Sequence, residues 1–165
     1  PHQLFLKQVE GPMKQYTNKL TPEMLAAFDE SPFTAEQLAG MNDEASSLIE
    51  KQNAYNLAHP VTAAYLIATE GSLTRNGGKV FSEYNGRQIK LDDGTMLNVS
   101  RVGDEVRYPD GTSAKITTGA GNTPGESIAL VGSSLDNGDE IISCPQNAGR
   151  RVVRAGESLP ENFLK

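Results

Sequence analysis

The sequence predicts an α+β chain. A helical N-terminal region over residues 1–67 precedes a compact body of short β-hairpins over 68–149, and a C-terminal tail over 150–165 closes it. Three observations carry this. Capped segments with apolar residues at spacings of three and four occupy the front. Behind them the apolar period falls to two, and Asn-Gly or Asp-Gly pairs punctuate it every few residues. Finally, one phrase occurs twice: Asn85 to Gly111 (NGRQIKL…VSRVGDEVRYPDG) is echoed by Gly125 to Ile141 (GESIALVGSSLDNGDEI). Each copy is a short apolar strand ending in Val-Gly, followed by a turn.

The helical front reads from its caps. Thr21-Pro22-Glu23 supplies a capping hydroxyl, a proline at the first helical position and an acid in the first turn; Met24, Leu25 and Phe28 then share a face. Thr34 with Gln37 forms a capping-box pattern, predicting one amphipathic helix through Leu38, Met41, Ala45, Leu48 and Ile49, with Gly40 as its weak point. Asn53 to Leu57 prolongs it to His59-Pro60, where proline disfavours helix in the residue before it.

From Ala68 the strand candidates are Lys79 to Tyr84, Arg87 to Leu91, Thr95 to Val102, Glu105 to Tyr108, Ala114 to Thr118, Ser127 to Val131 and Glu140 to Ser143. Between them stand Asn85-Gly86, Asp92-Asp93-Gly94, Pro109-Asp110-Gly111 and Asp136-Asn137-Gly138, pairs that tolerate the positive φ of tight turns. At Val102-Gly103 the alternation slips, which predicts a glycine bulge.

Composition narrows the function. Only 37% of the residues are hydrophobic and there is no Trp, so the core must be modest. Net charge is −6, with four Lys/Arg against nine Asp/Glu in residues 1–70 and eleven against twelve in 71–165. An acidic surface repels phosphate backbones, which argues against nucleic-acid binding. Arg150, Arg151 and Arg154 are read as a solvated charge run in the tail. No apolar run approaches the roughly 20 residues that cross a bilayer, and PHQLFLKQVEGP lacks the pattern of a signal peptide, so a cytoplasmic start is expected. The single cysteine, Cys144, excludes an intrachain disulfide and a cysteine-based zinc cluster.

Catalysis has little to stand on, and a non-enzyme is expected. The only histidines, His2 and His59, give no Ser or Cys nucleophile a plausible base. Asp92-Asp93 and Asp136/Asp139 sit where turns favour aspartate for backbone reasons. Gly119 to Gly125 is flanked by strands, and Pro124 removes an amide, so it reads as a flexible hairpin loop and not a phosphate cradle.

The order Thr69 to Val80 (TEGSLTRNGGKV), Ser100 to Gly121 (SRVGDEVRYPDGTSAKITTGAG) and Ile128 to Ile141 (IALVGSSLDNGDEI) resembles the PAAR-repeat proteins. These are the conical tips that cap the VgrG spike of type VI secretion systems and related contractile tails. The resemblance covers Ala68 to Cys144, about half the chain. Arg101-Val102-Gly103-Asp104 looks like the end of the repeat that names the family, with Val99-Ser100 where Ala-Ala often stands; Thr74 to Gly78 resembles its Thr-x-His-Gly-Gly loop.

It implies a conical, β-helix-like domain and a structural tip on a trimeric spike, one chain per spike. The tip would wait in the cytoplasm and be carried into a target cell on firing, with an effector or adaptor as a further partner of the helical region. Spike-binding or base-bracing residues would be Arg101, Val102, Gly103 and Asp104 with Ala129, Leu130, Val131 and Gly132. Many such tips hold zinc with three His and one Cys. Here Asn76 stands where the loop histidine would, so a variant without zinc or other cofactor is expected; Cys144 and His59 could supply two ligands at most.

Overall fold

Thr21 and Thr34 do what their side chains predict. In the computed structural model, which describes residues 14–121 and 127–165, the Thr21 hydroxyl accepts from the Met24 amide at 3.2 Å and opens α1 (Pro22–Phe28). Thr34 and Gln37 complete both halves of a capping box at 3.1 and 2.9 Å, opening α2 (Ala35–Ala39). The single helix expected from Thr34 through Ile49 is two. Gly40 caps the end of α2, and the Asn42 side chain accepts from Ala45 N–H at 2.8 Å to start α3 (Asp43–Ala58). Two caps within three residues give the backbone a better partner than a continued helix would.

Among the described residues nine strands follow: β1 (Val61–Leu66), β2 (Leu73–Thr74), β3 (Lys79–Phe81), β4 (Gln88–Lys90), β5 (Met96–Asn98), β6 (Glu105–Arg107), β7 (Ser113–Lys115), β8 (Ile141–Ser143) and β9 (Arg150–Arg154). β1 pairs with β9, β4 with β5, and a five-stranded sheet runs in the order β7-β6-β3-β2-β8. The chain is thus mixed α and β with antiparallel hairpins.

It divides into two compact units. One takes residues 19–64 and 152–158, the other the described residues 14–18, 65–121, 127–151 and 159–165. The division passes within β1 and within β9, not between residues 67 and 68. The tail expected over 150–165 is structured instead, because Arg150–Arg154 pairs with β1 and Phe163 is buried and bridges Gly119. The helical expectation for residues 1–13 lies outside the described residues.

In the helical unit none of the three helices contains a buried residue. Arg154 ties it together. It donates to the carbonyls of Asn56 and His59 at 3.5 and 3.0 Å and of Phe28 at 3.5 Å, and pairs with Asp29 at 2.7 Å. These are the ends of α3 and α1, where helix dipoles favour a cation. Its side chain is only 14% exposed, so the solvated charge run expected for the arginines is corrected at this residue.

The β unit has one apolar core: Leu66, Ala68, Val80, Val106, Ala114, Ile116, Ala129, Val131, Leu135, Ile141 and Cys144, with Tyr16, Val102 and Tyr108 packed against it. Asn18 fixes its edge, accepting from Leu66 N–H at 2.8 Å and donating to the Val131 carbonyl at 2.7 Å.

Candidate functional site: a three-armed ring in the β unit

The core is organised around three backbone segments that bond in a closed circuit. Ser100 N–H donates to the Ala68 carbonyl at 2.9 Å, Ala129 N–H to Ser100 at 2.9 Å, and Ala68 N–H to Ala129 at 3.0 Å. Two residues on, the circuit repeats in the opposite sense: Glu70 to Asn98 at 2.9 Å, Val102 to Ser127 at 2.9 Å and Val131 to Leu66 at 2.8 Å. Ala68, Ser100 and Ala129 are fully buried at its centre. The small side chains of alanine and serine suit a point where three segments meet so closely.

Each segment then turns the same way. Gly71, Gly103 and Gly132 take φ of 86°, 98° and 113°, and their amides donate to Val80, Ile116 and Ile141 at 2.9, 2.8 and 2.8 Å. Ser72, Asp104 and Ser133 each accept, through the side chain, the amide three residues back, at 3.1, 2.9 and 2.9 Å. Each arm returns beside its neighbour: Val80 opposite Val106, Ile116 opposite Leu135, Ile141 opposite Thr74. All six of these side chains are buried. One chain therefore repeats a single design three times around a pseudo-threefold axis. The expected bulge at Val102-Gly103 is corrected to the turn of the second arm, since Asp104 N–H closes onto the Arg101 carbonyl at 3.1 Å.

The eight residues expected at a spike contact lie in the second and third arms, one position out of step, since Ser100 is the equivalent of Ala129 and Asp104 of Ser133. Ala129, Leu130 and Val131 are 0%, 1% and 4% exposed, so their side chains brace the ring from inside and offer no outer surface. Arg101, Val102, Asp104 and Gly132 are half-buried and Gly103 is exposed. The first arm, Ala68 to Ser72, was missed at the level of residues. Its signal was readable, because Gly71-Ser72 matches Gly132-Ser133.

The three hairpin ends meet at Asp139, which is 1% exposed. Its carboxylate accepts the Tyr108 hydroxyl at 2.5 Å and the amides of Asn76 and Glu140 at 3.2 and 2.8 Å. Asn137 joins by donating to the Tyr108 oxygen at 3.0 Å. Burial alone would raise the Asp139 carboxyl, but hydrogen bonds from Thr74, Tyr108, Glu140 and Asn76 outweigh it and hold it below the usual range. Burial, and then the bond to Asp139, push Tyr108 up.

The residues present do not fit a three-His, one-Cys zinc site. Asn76 approaches Asp139 through its backbone amide. Cys144 lies in the apolar core, donates to the Gln146 carbonyl at 3.1 Å and has its thiol pushed up by burial. His59 belongs to the other unit, stacked on Tyr55 with Nδ1 2.7 Å from the Ala155 carbonyl oxygen. Among the described residues no three His, Cys, Asp or Glu side chains are grouped to hold a metal, and no helix is long and apolar enough to cross a membrane.

No family model, curated protein or solved structure matches the chain.

Proposed function

We propose that this protein is a PAAR-like structural tip that caps a VgrG-type trimeric spike of a type VI secretion system and helps to pierce a target membrane or deliver cargo. The observation that carries the reading is the closed circuit of Ala68, Ser100 and Ala129. A chain that repeats one design three times about an axis is suited to engage three symmetry-related subunits at once, and the three arms supply such a repeat. The reading is non-enzymatic. The protein waits in the cytoplasm, without zinc, and leaves on the spike.

The test is co-purification with a candidate spike trimer and the mass of the complex. One tip per three spike chains is expected, with Val102→Asp weakening binding in protein whose fold is verified by circular dichroism. A one-to-one complex, or none with any spike, overturns the tip.

A second reading makes the helical unit the functional part, capturing an effector or adaptor while the β unit delivers it. It is favoured by the helices' lack of buried residues and by Leu48 and Leu57, which are 63% and 83% exposed. Capture of a protein by a chain that binds no spike would put this reading first.

A further inference from the structure

Beside the second arm lies a surface cavity of about 210 Å³ whose lining includes Tyr84, Arg87, Arg101, Gly121, Ser127 and Ile128. Arg87 and Arg101 both line it, and none of the described residues lining it is acidic. The Arg101 guanidinium lies over the Tyr84 ring, 3.9 Å from its centroid, which fixes the plane of its donor fork. Its Nε is sealed from solvent and finds no acceptor. The described ion pairs engage Arg75, Arg107 and Arg154, and neither Arg87 nor Arg101. Asp104, the nearest acid in sequence, already accepts the backbone amide of Arg101 and the hydroxyl of Ser82.

Two arginines that line one cavity with no acid among its described lining leave positive charge there uncompensated, and an anion is the group that compensates it. We infer that this cavity binds a small oxyanion, a carboxylate or a phosphate, gripped between Arg87 and Arg101. Both chemistries suit a guanidinium fork, which presents paired N–H donors to paired oxygens. The cavity admits a small acid or one acidic group of a larger molecule. The Ser127 hydroxyl, which accepts from Gly121 N–H at 2.9 Å, stands at its edge.

The full chain is titrated with inorganic phosphate and, separately, with acetate at matched chloride ionic strength, and followed by NMR. Saturable shifts are expected at the Arg87 and Arg101 Nε–H signals and at the amides of Gly121 and Ser127. Arg87→Gln, an exposed position, should weaken binding by roughly tenfold or more, and Arg101→Lys, which keeps the charge but loses the fork, should do likewise. Lys115→Gln, outside the cavity, should leave it unchanged. Saturation by phosphate alone identifies a phosphate group, and by acetate alone a carboxylate. Failure of both anions to saturate, shifts spread equally over Arg75 and Arg107, or unchanged affinity in Arg87→Gln overturns the site.

Discussion

The Tyr108 hydroxyl donates to the Asp139 carboxylate at 2.5 Å, joining the second arm of the β unit to the third. The same carboxylate takes the Asn76 amide from the first. One buried side chain thus closes three hairpin ends. A charged acceptor with several donors is stronger than neutral pairs, and it leaves a costly gap if any member is removed.

Asp139 makes stability depend on acid. Its carboxyl is held below the usual range in the folded protein, so its contribution is fully present above the unfolded value of about 4 and is lost as pH falls through the folded one. Thermal melts should show a steeper loss of stability below about pH 4 in the native chain than in Asp139→Asn. At neutral pH that variant should be less stable by about 1–3 kcal/mol. Parallel pH profiles for the two proteins would refute this role.

Gly103 separates conformation from packing. Its φ is 98° and a Cβ would meet nothing within 4 Å, so Gly103→Ala should cost about 1–2 kcal/mol from backbone strain alone. Gly103→Pro should cost much more, since it forces φ negative and removes the amide that donates to the Ile116 carbonyl at 2.8 Å. Urea unfolding of both variants measures the difference, and equal midpoints would contradict the assigned turn.

Arg154 should matter to the helical unit. Arg154→Ala removes donors from the carbonyls of Phe28, Asn56 and His59 and the ion pair with Asp29. A loss of about 1–3 kcal/mol is expected. Hydrogen exchange should quicken in α1 and α3 while the amides of Ala68, Ser100 and Ala129 keep their protection. Unchanged exchange at Asn56 to His59 would show that the arginine is a bystander.

Local chemistry was legible in the sequence wherever one residue type settles the backbone. Thr21, Thr34 and Gln37 opened their helices as read, and Asp93-Gly94, Asp110-Gly111 and Asn137-Gly138 turned with positive φ at each glycine, whereas Gly86 takes no positive φ and the strands on either side of Asn85-Gly86, β3 and β4, do not pair. The α+β order was legible because the period changes from helical to alternating, but the change was read at Ala68, while the first strand already begins at Val61 and residues 61–66 are extended and not helical. Gly40 was read as a weak point, but that Asn42 would restart the helix depended on a competition between caps that periodicity does not resolve.

Only the tertiary structure decided what joins what. Two Val-Gly phrases were visible, while the first arm carries Glu70-Gly71 in place of Val-Gly, so only its Gly71-Ser72 pair matched the third arm. Ala129, Leu130 and Val131 looked as available as Arg101 until packing buried them. The partners of Arg154 and Asp139 lie up to 126 and 65 residues away in the chain. The sequence by itself determined the turns, caps and strand period, which are short-range backbone preferences. Which buried polar group meets which, and that three arms close on one axis, followed only from the requirement that every group removed from water find a partner.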